Sequence, residues 1–283
     1  MSDISCQEEY IETKKGKVFW REYLPAEPPR AHLLITHGYG EHSGRYAFMG
    51  RFFAQNGFLV TTYDLPGHGL TYGRRAHIGD YSEYLAVLNL ALKKAEEANP
   101  ALKDLPLFVF GHSMGGLITA RYLESPSPKN LKAAALTSPY LGCNIPLPKI
   151  IFTLARIAGV ICPIFAIKST FTGKDVTQNP EIIKEYDEDP LMVRRTTTGW
   201  FRASEKCQKY VLSHAGDVSV PLFCWAGDPD KLAIPAVTAA FMDKVPTKKT
   251  FRLVENCYHE VLNEAPYREE GLKAILAWFK EAL

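Results

Sequence analysis

Along this chain, short runs rich in β-branched and aromatic residues alternate with longer stretches whose apolar positions recur every three or four residues. A buried parallel strand reads as a continuous apolar run, while a helix covering it shows one apolar stripe, so the alternation predicts a mostly parallel sheet with helices on both faces. YIET (10–13) and KVFWREYL (17–24) predict an opening hairpin turning at Lys15-Gly16. AHLLITHG (31–38), FLVTTYDLPG (58–67), PLFVFGHS (106–113) and LKAAALTSP (131–139) predict buried strands, with helical spacing between them at 44–56, 81–98 and 114–124. The pattern resumes only at VPLFCWAGD (220–228), KKTFRLVENC (248–257) and a last amphipathic helix from about Pro266 to Leu283.

The gap in the pattern predicts the domain organisation. Residues 1–139 and 214–283 read as one α/β core, and residues 140–213 read as a mainly helical cap, or lid, inserted between two strands of its sheet. Insertions of that length usually have structure and a function of their own, such as covering a site. Inside it lies IIFTLARIAGVICPIFAI (150–167), eighteen positions with one charge, Arg156. A membrane span needs about 20 apolar residues. A charge at its centre costs on the order of 2.5 to 3.5 kcal/mol, and Gly159 and Pro163 also interrupt the run, so it reads as cap rather than span. With too many apolar positions for one buried stripe, part of it is expected to line an apolar tunnel. Another part is expected to face a membrane surface, with Lys149 and Lys168 meeting anionic head groups. The alternative is a cap that folds on itself and buries the whole run.

Composition narrows the classes. The 33 basic and 31 acidic residues give a net charge of +2 and no long basic run, which removes the electrostatic case for nucleic acid. The six cysteines have no CxxC or Cys/His spacing and read as free thiols. The opening MSDISCQEEYIETKKGK has no apolar core ahead of a small-residue cleavage site, so the expectation is a cytoplasmic protein, at most peripherally attached to a membrane.

Chemistry enters at VFGHSMGGL (109–117), where Gly111, Ser113 and Gly115 form GxSxG between a predicted strand and a predicted helix. So tight a turn strains its central residue and projects the Ser113 hydroxyl clear of the sheet, with glycines leaving room for the close packing. A serine hydroxyl needs a base, itself oriented by a carboxylate. In the order nucleophile, acid, histidine, His214 and His259 are the histidines beyond Ser113, and His259 alone follows the strand-end segment AGDPDKLAIP (226–235). Asp228 and Asp230 compete for the acid; spacing favours Asp230, leaving Asp228 to cap the turn. Oxyanion donors are expected at the N–H of Met114, which follows the nucleophile, and of Tyr39 in HGYG (37–40). His37, Asp64, His68 and His112 read as structural or merely adjacent.

HGYGEHSGRY (37–46), DLPGHGLTYGRR (64–75), GHSMGG (111–116), SPYLG (138–142), TGKDVTQNPEIIKEYDEDPL (172–191), GDPDKL (227–232) and ENCYHEVLNE (255–264) together resemble the monoacylglycerol lipase and lysophospholipase branch of the α/β-hydrolases. GxSxG is widely shared; its combination with HGxGEHSGRY and the cap phrase is far more specific, and the likeness runs through nearly the whole chain. The resemblance implies a serine hydrolase acting on single-chain acyl esters of glycerol or glycerophosphate, with no metal or cofactor. It places the nucleophile on Ser113, the acid on Asp230, the base on His259 and the oxyanion donors on Tyr39 and Met114. It also implies that Glu41 and Arg45 lie near the head-group end of the pocket, where they read equally as a local ion pair holding the loop. One position departs from the animal monoglyceride lipases, which carry a second histidine three residues after the catalytic one, where this chain has Leu262.

The residues predict acyl transfer through a serine, and the resemblance implies hydrolysis of monoacylglycerol or lysophospholipid through an acyl-serine intermediate. The alternatives are a general carboxylesterase, thioesterase or peptidase on the same scaffold, and a binding protein that keeps the fold without the chemistry.

Overall fold

The computed structural model describes residues 4–125, 128–144 and 148–283. The opening hairpin is β1 (Ser5–Thr13) and β2 (Gly16–Leu24), followed by β3 (Ala31–Thr36), a 3-10 turn (Ser43–Tyr46), α1 (Ala47–Gln55) and β4 (Phe58–Tyr63). Then come α2 (Ser82–Ala98), β5 (Leu107–His112), α3 (Met114–Leu123) and β6 (Leu131–Thr137). After β6 the chain forms α4 (Lys149–Ile161), β7 (Ala166–Lys168), α5 (Gly173–Val176), α6 (Pro180–Glu188), β8 (Arg195–Thr197) and α7 (Thr198–Ser213). It closes with β9 (Leu222–Asp228), α8 (Pro235–Lys244), β10 (Lys249–Glu255) and α9 (Tyr267–Lys280).

Eight strands form one sheet in the order β1-β2-β4-β3-β5-β6-β9-β10. The β1/β2 and β2/β4 pairs are antiparallel and the others parallel. Strands β3, β4 and β5 are buried at every position, which is why they read as unbroken apolar runs. On one face, Phe53 of α1 and Phe279 of α9 pack with Phe58 and Phe108 in an aromatic cluster. On the other, α2, α3 and α8 share a core with Trp200, Ala203, Cys207 and Val211 of α7. The segment between β6 and β9 is thus anchored through α7 into the main core rather than folded on a core of its own.

Several expectations change. β1 starts five residues before the predicted Tyr10; it is an exposed edge strand, polar along most of its length, and shows no apolar run to read. The predicted strands 31–38, 58–67, 106–113 and 131–139 end one to four residues earlier, and the residues past their ends are the loops that carry the site. Helix α8 replaces a stretch that carries no helical prediction.

The apolar run 150–167 is neither a span nor a buried cap segment. It divides at Cys162-Pro163 into α4 and β7, and among the described residues no helix is long and apolar enough to cross a membrane. Ile150, Leu154, Ile157, Val160, Ile161, Ile164 and Phe165 are exposed, Ile161 to 79%, while Phe152 turns inward toward Phe201 of α7. Arg156, the charge within the run, pairs with Glu205 of α7 at 2.6 Å. Lys168 is exposed on β7, and the side chain of Lys149 lies outside the described residues. All six cysteines are unpaired.

Candidate active site

The carboxyl ends of the parallel strands gather the residues singled out by the sequence. Ser113 sits between β5 and α3 with φ +53°, in the left-handed region that non-glycine residues avoid, so the turn is strained at the serine itself. The flanking glycines are required by space. A Cβ on Gly115 would lie 2.1 Å from the Thr36 carbonyl oxygen, and one on Gly111 would lie 2.4 Å from that of Gly115.

Ser113 Oγ lies 2.8 Å from His259 Nε2, and His259 Nδ1 lies 2.7 Å from Asp230 Oδ2. Ser113, His259 and Asp230 are all buried, at 7%, 3% and 3% exposure. Burial opposes charge on the His259 imidazole, but Asp230, and beyond it Glu260 and Glu41, outweigh it and hold its pKa above the ordinary value. Burial also opposes charge on Asp230; its contacts with His259 and the N–H groups of Ala233 and Leu232 hold it below the usual carboxylate range. Those N–H groups donate to Asp230 Oδ1 at 2.9 and 2.8 Å. Turn capping, expected of Asp228, therefore falls to Asp230, while Asp228 is exposed at the end of β9.

Met114 heads α3, so its N–H has no acceptor within the helix. Tyr39 lines the same cavity as Ser113, its ring 3.9 Å from that of Trp200 and its hydroxyl donating to the Arg195 carbonyl at 2.7 Å. The Tyr39 loop makes two further contacts with the segment between β6 and β9. Val193 N–H donates to the Gly40 carbonyl at 2.7 Å, and His42 Nε2 lies 2.8 Å from Asp189 Oδ2. His37 holds the loop from below, accepting the Leu65 N–H at Nε2 at 2.9 Å, and Asp64 accepts the N–H groups of Ser43 and Leu70. His112 bonds to Thr137 through Nδ1, and burial holds its imidazole down at about 4, so it is neutral.

Glu41 and Arg45 are brought together at 2.8 Å, with a third partner the sequence reading does not single out: Glu260 receives both terminal nitrogens of Arg45, at 2.6 and 2.8 Å. The only sequence signal for Glu260 is its place beside His259. All three line the cavity that holds Ser113.

That cavity measures about 340 Å³ and opens above Ser113. Its walls are mostly apolar and include Ile151, Phe152 and Ala155 of α4 together with Tyr140, Trp200 and Phe201. Among the described residues no three His, Cys, Asp or Glu side chains converge so as to hold a metal ion.

A mostly parallel sheet with a strained serine at one strand end, and a histidine and an aspartate beyond later strands, defines an α/β-hydrolase. The family model described as serine aminopeptidase, S33, matches residues 27–266, and the chain belongs to that hydrolase family. It is 31% identical to the phospholipase YtpA of Bacillus subtilis over 89% of this chain and 96% of that protein. It is 29% identical over 96% of its own length to an uncharacterized abhydrolase domain-containing protein of Dictyostelium discoideum, but spans only 29% of that longer protein. Its fold superposes on the crystal structure of Paleococcus ferrophilus monoacylglycerol lipase with a TM-score of 0.84 at 26% identity, covering 94% of this chain and 99% of that one.

Proposed function

We propose that this chain hydrolyses carboxylic esters of single-chain lipids, monoacylglycerol or lysophospholipid, through an acyl-serine intermediate. The observation that carries the reading is the run of bonds from Asp230 through His259 to Ser113, 2.7 and 2.8 Å long, at the floor of a mostly apolar cavity. Ser113 Oγ attacks the ester carbonyl while His259 Nε2 takes its proton and then returns it to the leaving alcohol. Asp230 fixes the ring so that Nε2 faces the serine, and stabilises the imidazolium that forms. The N–H groups of Met114 and Tyr39 receive the charge that develops on the carbonyl oxygen. Water then attacks the acyl-serine by the same route, and the fatty acid leaves. Names of relatives as phospholipase and monoacylglycerol lipase support the substrate class.

In this reading residues 140–213 act as the cap. Ile151, Phe152 and Ala155 line the acyl tunnel, and the exposed Leu154, Ile157, Val160 and Ile161 rest on a lipid surface from which substrate enters. The test is turnover of monoacylglycerols, lysophospholipids and para-nitrophenyl acyl esters, with and without vesicles. Turnover of lipid esters that Ser113→Ala abolishes is the expected result. Lipid ester turnover by Ser113→Ala near the wild-type rate refutes the assignment.

A further inference from the structure

Glu260 links two loops that the chemistry must hold in register. Its carboxylate takes both terminal nitrogens of Arg45, and its Oε2 also accepts from Asn263 Nδ2 at 2.7 Å. Arg45 Nη1 continues to Glu41 Oε2 at 2.8 Å. Glu41 Oε1 in turn accepts the Gly38 N–H at 2.5 Å and the Tyr46 hydroxyl at 2.6 Å. The path runs without a break from the residue after His259 to the residue before Tyr39. Glu41 and Glu260 are 4% and 6% exposed, and two carboxylates share one guanidinium, leaving one negative charge in excess. An unbalanced buried charge is costly, and replacing such groups by apolar ones of similar shape often stabilises a fold, so stability does not explain the array.

We infer that Glu260, acting through Arg45 and Glu41, is a positioning residue that fixes His259 against the Tyr39 oxyanion loop; the inference rests on the hydrolase reading above. Three of the five N–H donors of Arg45 are taken by carboxylates, and its guanidinium lies 5.3 Å from the centre of the Tyr186 ring, so most of its donors hold the array together. The excess charge has a second effect. The titratable and charged groups around His259 are Asp230 from the loop after β9, His112 from the end of β5, Glu41 and Arg45 from the turn before α1, and Glu260 itself. Of these His112 is neutral, so the surplus carboxylate favours the imidazolium that forms as Ser113 attacks.

The experiment compares Glu260→Gln with wild type on para-nitrophenyl butyrate, which carries no glycerol or phosphate head, and on a monoacylglycerol. The expected result is a kcat about 10-fold lower on both esters with KM within about twofold, since a base and an oxyanion donor out of register slow the chemistry without weakening binding. His259 works as a base only when neutral, so kcat/KM rises with pH through its pKa. Removing a nearby negative charge lowers that pKa, and the acid limb moves to lower pH by about half a unit or more. Glu260→Asp keeps the charge on a shorter arm, so its kcat falls while the limb stays in place. An unchanged kcat on para-nitrophenyl butyrate, with KM raised only for the glycerol ester, overturns the inference in favour of a head-group subsite. Loss of kcat that merely tracks the folded fraction, with the limb unmoved in Glu260→Gln, overturns it in favour of a purely structural pair. If Glu260→Gln does not fold, a Glu260→Asp kcat at the wild-type level overturns it as well. Wild-type protein that neither turns over ester nor takes a fluorophosphonate label on Ser113 refutes the hydrolase reading instead.

Discussion

Gly227 is the position where a single methyl group tests the proposed geometry most directly. It lies in β9, two residues before Pro229 and three before Asp230, and β10 runs beside it toward the loop that carries His259. A Cβ built on Gly227 falls 2.1 Å from the Tyr258 carbonyl oxygen and 2.5 Å from that of Cys257, both backbone atoms with no rotamer to escape through. Side-chain carbons do not approach closer than 3.0 Å, so in Gly227→Ala one of the two segments retreats by about 1 Å. If the 257–258 segment moves, His259 moves with it; if β9 moves, Asp230 does. The first displacement disturbs both the 2.7 and the 2.8 Å bonds, and the second disturbs the 2.7 Å bond that orients His259. A misplacement of about 1 Å costs roughly 100-fold in rate, and overpacking of this kind costs about 1 to 3 kcal/mol of stability. The assay is kcat on para-nitrophenyl butyrate at a temperature well below the thermal midpoint, beside Gly216→Ala, whose Cβ would meet nothing within 4 Å. The expected outcome is a kcat about 100-fold lower in Gly227→Ala, a lower midpoint, and wild-type behaviour in Gly216→Ala. A Gly227→Ala enzyme within about threefold of wild type would show that the bond lengths at the site do not control the rate.

Two further predictions separate neighbouring readings. Asp230→Asn keeps an acceptor for the Leu232 and Ala233 N–H groups but sets an amide against His259 Nδ1, so kcat drops by about 10⁴-fold. Asp228→Asn, at an exposed position, stays within about threefold; equal losses in both would remove Asp230 from its role. If the outer face of α4 rests on lipid as proposed, replacing Leu154, Ile157 and Ile161 by Ser takes away about 1 kcal/mol of membrane insertion each, or roughly 100-fold in vesicle partitioning for the triple variant, measured by co-sedimentation. Activity on a soluble ester is unchanged, because Ile151 and Phe152 still line the cavity; vesicle partitioning equal to wild type would remove α4 from the lipid-facing surface.

The parts of this molecule that could be read from the chain are those whose physics is local. A parallel strand buried on both faces must be apolar throughout, so β3, β4 and β5 announced themselves, and a strained turn needs small flanking residues, so Gly111 and Gly115 marked Ser113. The chain order of nucleophile, acid and histidine then reduced eight histidines to His259. What escaped is what depends on distant partners or on having none. β1 is solvated along most of its length and therefore carries no apolar run, although it pairs with β2 along its whole length. Glu41 and Arg45, four residues apart, suggested an ion pair by spacing alone, but the carboxylate that takes both ends of Arg45 lies 215 residues further on. With Glu260 in place, the pair becomes a three-residue array that joins the Tyr39 loop to the loop carrying His259. The apolar run 150–167 shows the same limit from the other side. Its composition declared that so much apolar surface must meet something, while the division at Cys162-Pro163, the inward turn of Phe152 and the outward face of Leu154, Ile157 and Ile161 follow from where α7 lies beneath α4.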